Sequence, residues 1–172
     1  MAGRRNGPPG HRTLDAFPSR GSRDVHPRRP LAVFRDEAPT LICHNDIAPY
    51  NVCFDGDELV AVFDWDFAGP STPLLELAFI AWNCVPLWRG IGAESAASRL
   101  HIIASTYGSA TALDILSAVA PRMQLMLDWI PTAAAAGDQG MRNLMSGGEP
   151  DGSQHALDDL RRRTSAIAAH LK

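Results

Sequence analysis

The chain has 172 residues, 45% of them apolar, and a formal net charge of −3. That length holds one sizeable core, or one core with a tail, and no run of about 18 apolar residues offers a membrane-spanning helix. Cys43, Cys53 and Cys84 are odd in number and show no Cys-x-x-Cys spacing, which argues against a disulfide framework or a structural zinc site and suits a cytoplasmic protein.

Residues 1–33 are rich in Arg, Pro and Gly and show no periodicity, so they read as a disordered N-terminal segment. No apolar stretch follows the early arginines, which excludes a secretory signal. Residues 1–35 carry eight Arg against Asp15 and Asp24, a balance of +6; subtracting this from −3 leaves −9 on the remainder. A basic tail can bind nucleic acid, but a solvated extension is the simpler reading. The only lysine is Lys172.

From Thr40 the pattern sharpens. "TLIC", "NVCF" and "ELVAVF" read as short buried strands of a small meander, and Asp55-Gly56-Asp57 as the turn of a hairpin. Pro70 to Pro73 punctuate the chain, and a Ser/Thr N-cap ahead of Pro73 starts a helix over "PLLELAFIAWNCV". Its apolar residues lie almost all round, as in a buried helix. "ESAASRLHIIASTYG" is a second helix, stopped at Gly108. Leu113, Leu116, Ala120, Met123, Leu127 and Ile130 mark one face of a third, which Pro121 should kink or break. "MSGGEPDGS" reads as a loop. Leu157, Leu160, Thr164, Ile167 and Leu171 line a last helix whose Arg161 to Arg163 point outward.

Two segments carry chemistry. "HNDIAPYN" sets Asp46 and Asn51 five residues apart after one apolar run, and "VFDWDFAGP" ends the next run in Asp64 and Asp66. A carboxylate beside a core is costly unless it is paired or meets a cation. Together the two segments resemble the catalytic core of the aminoglycoside phosphotransferase (phosphotransferase enzyme) family, which is related to the protein kinases. The family pattern is His-x-Asp, four residues, Asn, a hairpin, then an apolar strand ending in Asp; His44, Asp46, Asn51 and Asp64 match it. Glu76 stands where the family's buried helix usually has Asp.

The resemblance implies an α+β fold: a kinase-like C-terminal lobe over residues 34–172, mostly helical, with a small β-hairpin or meander carrying the catalytic loop. It implies a small-molecule kinase that transfers the γ-phosphate of ATP to a hydroxyl with Mg²⁺. Asp46 would be the catalytic base, Asn51 and Asp64 the metal ligands, and His44 a support for the loop. Asp66 is open between the substrate site and a solvated loop. Taken singly, each residue also reads as a turn cap or a strand-end acid; the order and spacing of the set favour chemistry.

Kinase-like folds bind ATP beneath an N-terminal lobe with a Gly-rich loop and a strand lysine. Neither is legible in the 39 residues before Thr40, so the expectation is a C-terminal lobe without that partner, its catalytic loop uncovered. The alternative is a non-catalytic lobe that binds metal or a partner. The acceptor class stays open among aminoglycosides, choline, homoserine, sugars and macrolides.

Overall fold

The computed structural model describes residues 39–172. The Arg/Pro/Gly-rich segment at 1–33 and the first five residues of the expected lobe lie outside the described residues. Within them, four short strands and two single 3₁₀ turns lead into five helices.

The strands form two separate antiparallel pairs rather than a meander. β1 (Leu41–Cys43) pairs with β4 (Gly69–Ser71), with Ile42 opposite Pro70. The sequence reading missed β4, because Gly-Pro-Ser has the composition of a turn and becomes a strand only through its partner. β2 (Val52–Asp55) and β3 (Glu58–Val62) form the expected hairpin. Gly56 takes a positive φ of 60° at its turn, a conformation that costs glycine little. A register shift between Cys53 and Phe54 bends this hairpin.

Apart from Cys43 in β1 and Ser71 in β4, these strands are not buried. Phe54, Leu59, Val60 and Phe63 are all about half exposed, and Ile42 is 71% exposed. Apolar runs this short show the side-chain period but not what covers either face.

The core belongs to the helices. α1 (Pro73–Cys84) begins with Pro73 in its first turn, as read, and buries Leu75, Leu77, Ala78, Phe79, Ala81 and Trp82. Thr72 is its N-cap by backbone only: its carbonyl accepts from Leu75 and Glu76, while its hydroxyl is buried without a partner. α2 (Ala93–Tyr107) ends at Gly108, whose φ of 87° supplies the left-handed stop.

α3 (Ala112–Ala135) is the central helix and packs against α1, α2, α4 and α5. It runs unbroken through Pro121 and Pro131. Neighbours on several sides outweigh the hydrogen bond each proline removes, a loss of about 3 kcal/mol in an isolated helix. A capping box opens it: Asp114 N–H donates to Thr111 Oγ1 and Thr111 N–H to Asp114 Oδ2. Its buried face is Ile115, Leu116, Val119, Arg122, Met123, Leu127 and Ile130. The expected stripe holds at Leu116, Met123, Leu127 and Ile130, with Ala120 partly buried; Leu113, at 49% exposed, is the one member that faces out.

Between α3 and the expected loop, largely in residues given no element from the sequence, lies α4 (Gln139–Ser146), capped by Asp138 Oδ1, which accepts from Met141 N–H at 3.1 Å. α5 (Asp151–Ala169) buries Leu157, Leu160 and Ile167 as expected. Its Arg163 turns inward instead: it pairs with Asp159 and donates to the carbonyls of Leu87 and Arg89 at 2.8 and 3.0 Å. One guanidinium thereby satisfies the connection between α1 and α2. Among the described residues no single helix is long and apolar enough to cross a membrane.

Candidate active site

The segment His44–Asn51 leaves β1, passes a 3₁₀ turn (Pro49–Asn51) and enters β2. Pro49 at the head of that turn fixes φ where the chain must reverse toward Asp46. Asn51 then closes the loop, because its Nδ2 donates to both the carbonyl and Oδ2 of Asp46, each at 2.9 Å. Both amide protons are thus committed to Asp46.

His44 is 3% exposed and fastens the loop to the strand that follows. Its Nδ1 accepts from Asp46 N–H at 3.3 Å, so its proton sits on Nε2, which donates to Phe63 O at 3.0 Å. Phe63 N–H in turn donates to Asn51 O at 3.0 Å. Phe63, just before Asp64, is therefore held at its N–H by Asn51 and at its carbonyl by His44. Trp65 lies over the His44 ring, 4.6 Å between centroids. These contacts fit a supporting role for His44.

Asp46 is 9% exposed and Asn51 4%, so these two side chains, expected to lie uncovered, are buried, while Pro49 and Tyr50 between them are exposed. Asp64 and Asp66 are exposed. Asp64 has a left-handed backbone, φ 63° and ψ 60°, and leads into the second 3₁₀ turn (Trp65–Phe67), which contains Asp66. That conformation costs an L-residue roughly 1–2 kcal/mol, less for Asp and Asn than for most. Burial pushes the Asp46 pKa up to about 6; the Asn51 hydrogen bond lowers it, nearby Asp64 raises it, and His44 and Arg122 lower it. Burial also raises the Tyr50 phenol, with Asp46 and Asp64 adding to the shift. Asp46, Asp64 and Tyr50 thus share one electrostatic neighbourhood.

Three residues in this framework were missed or underread. Asn45, the unassigned residue of His-x-Asp, has φ 64°. Its Nδ2 donates to the carbonyls of Cys43, Phe67 and Gly69 at 3.1–3.3 Å, which ties β1 to the segment before β4. Its N–H donates to Glu76 Oε2 at 2.8 Å. Its carbonyl accepts from Arg122 Nη2 at 2.9 Å. The peptide groups flanking the left-handed residue are therefore gripped by charged side chains from α1 and α3. Arg122 is 4% exposed, with its guanidinium 4.9 Å above the Phe79 ring. Burial depresses its pKa to about 10, against the pull of Glu76 and Asp46. Asn beside a strand end was a legible hint of left-handed backbone. Arg122 gave no local signal, since its partner is 77 residues away.

The donor chemistry fits a hard cation. With its NH₂ spent on Asp46, Asn51 has its amide oxygen left, and Asp64 adds an exposed carboxylate; one or two carboxylates plus neutral oxygens suit Mg²⁺. Among the described residues no group of three or more His, Cys, Asp or Glu gathers to hold a metal.

A stability test follows from the raised Asp46 pKa. The folded state keeps a proton that the unfolded chain releases near the ordinary value of 3.8. This contribution to stability is whole below about 3.8 and is lost as pH rises through about 6. In EDTA at pH 8, Asp46→Asn should therefore be more stable than the parent by on the order of 2 kcal/mol, or about 5 °C in melting temperature. The gain should vanish by pH 4. Melts of both proteins at the two pH values measure it.

A buried loop carboxylate, an amide bonded to it and a second carboxylate at the end of the next hairpin resemble the apparatus of kinase-like phosphotransferases. The family comparison agrees: the phosphotransferase enzyme family matches residues 6–113, and the chain belongs to that family. The match takes in all four strands, α1 and α2 and ends at the start of α3, before Arg122. No curated protein and no solved structure matches the chain.

Proposed function

We propose that this chain is the catalytic lobe of a small-molecule kinase that moves the γ-phosphoryl group of ATP to a substrate hydroxyl. The observation that carries this reading is the double hydrogen bond from Asn51 to Asp46. It engages Oδ2 and leaves Oδ1 to receive a proton.

In the forward reaction, ionised Asp46 orients the acceptor hydroxyl and takes its proton. The hydroxyl oxygen bonds to the γ-phosphorus as the bond to the β–γ bridging oxygen breaks, and ADP leaves with that electron pair. Asn51 Oδ1 and Asp64 are the groups that would hold Mg²⁺, which supplies positive charge to the phosphate oxygens. His44 keeps Asp46 and the Phe63–Asp64 peptide in register through its two ring nitrogens.

Acceptor-dependent release of ADP from MgATP by the purified chain is the test. ADP formation that rises with added alcohol supports the reading, and the same rate with and without any acceptor counts against it.

A partner-binding lobe is the second reading. It is favoured by the apolar side chains exposed along the hairpin and β1, among them Phe54, Val60 and Ile42. Such a lobe would form no phosphorylated product with any acceptor.

The metal assignment is tested separately. A ligand at ten times its dissociation constant stabilises the state it binds by about 1.4 kcal/mol, or about 3 °C for a chain of this size. Millimolar Mg²⁺ should raise the melting temperature by that order relative to Na⁺ at matched ionic strength. Asp64→Ala should remove the difference; an equal Mg²⁺ effect in both proteins would mean that Asp64 is no ligand.

A further inference from the structure

A cavity of about 180 Å³ lies between α1, α3 and the segment joining α4 to α5. Phe79, Trp82, Met123, Met126, Ile130 and Leu144 supply most of its wall. At one edge stands Tyr50, which immediately precedes the Asn51 that is bonded to Asp46. The Tyr50 phenol feels the charges of Asp46 and Asp64, so this lining residue links the cavity to the neighbourhood of those carboxylates.

Its size and lining restrict what enters. An apolar protein cavity of about 150 Å³ takes a guest the size of benzene, so this one accommodates a single ring or a compact branched chain. Two methionines in the wall suit an apolar surface that adapts to its guest.

Charge narrows the choice further. Glu149 is the one acid in the lining, and both its oxygens are engaged: Oε1 accepts from Ser153 Oγ at 3.0 Å and Oε2 from Ser153 N–H at 3.3 Å. Glu149 can offset one cation at most, so a polyamine desolvated in this wall would leave its other ammonium groups unpaired. The excess of acid over base after residue 35 acts over the whole surface and does not change the cavity's own chemistry.

We propose that this cavity receives the apolar body of the hydroxyl acceptor, an alcohol bearing one ring or a branched chain of that size, and does not receive a polycationic aminosugar. The inference rests on the phosphotransferase reading above. It assigns Met126 and Trp82 as specificity-determining residues.

Benzyl alcohol is the probe, and the methionine methyl groups of the full chain, ¹³C-labelled and followed by NMR, are the readout. The methyls of Met123 and Met126 should shift saturably, with Kd in about the millimolar range for so small a ligand. Met141 is buried but outside the cavity lining, and Met145 is exposed; both should stay in place. Met126→Trp fills the cavity and should weaken binding at least tenfold. Leu144→Trp, at a position 36% exposed, should do the same and serves if the first variant does not fold. A multiply charged aminoglycoside should leave the Met123 and Met126 methyls unmoved.

The proposal is overturned by shifts that do not saturate, by shifts that survive both tryptophan variants, or by saturable movement of the same methyls with the aminoglycoside. The readout needs no turnover. Failed binding would therefore leave the phosphotransferase reading intact, and failed phosphoryl transfer would leave the binding result intact.

Discussion

Arg122→Met is expected to lower the unfolding free energy by about 3 kcal/mol, the usual cost of removing one partner of a buried charged group. The variant leaves the Asn45 carbonyl without its donor. It also removes the cation that offsets half-buried Glu76, whose other oxygen, Oε1, is buried with no hydrogen bond. The Phe79 ring loses its cation as well. Arg122→Lys should recover only part of the loss, because an ammonium on a different stem lacks the guanidinium fork. Arg162→Met is the control: its side chain is 69% exposed and its pair with Asp159 lies on the surface, so about 0.5 kcal/mol or less is expected. Urea unfolding followed by circular dichroism ranks the three variants. An Arg122→Met effect no larger than the control's would show that the grip on Asn45 holds nothing in place.

The second large effect is on turnover. Asp46→Asn keeps a side chain that can still accept from Asn51 Nδ2, and it removes the proton acceptor. The expected result is a fall in kcat of about 10²- to 10⁴-fold, the range of a positioned general base, with MgATP affinity near that of the parent. Together with the gain in stability expected at pH 8, this makes Asp46 a residue whose ionised form the fold tolerates at a cost. Steady-state kinetics beside direct nucleotide titration separates the two effects. A parallel loss of nucleotide affinity would place Asp46 among the groups that bind rather than react.

The sequence exposed those features whose signals are local. Asp55-Gly56-Asp57 announces its hairpin, Pro73 and Gly108 mark helix ends, and the spacing from His44 to Asp64 points to one family. Features that depend on distant partners were not legible. β4 is a strand because β1 lies beside it. α3 carries two prolines because four helices surround it. Asn45, beside Asp46, is held by Glu76 of α1 and Arg122 of α3, which are 31 and 77 residues away. The apolar runs at β2 and β3 misled for the converse reason: they have the composition of buried strands, and no described element covers them. α4 was hidden by its glycines, Gly140 within it and Gly147 at its end, which by composition argue for a loop.

The most direct measurement is ³¹P NMR of the purified chain with MgATP and a pool of small alcohols that includes one-ring members. The account predicts a new phosphomonoester resonance that grows in step with ADP, disappears when EDTA replaces Mg²⁺, and falls by at least about a hundredfold in Asp46→Asn. ADP accompanied only by inorganic phosphate, or a phosphomonoester formed equally fast by Asp46→Asn, would contradict it.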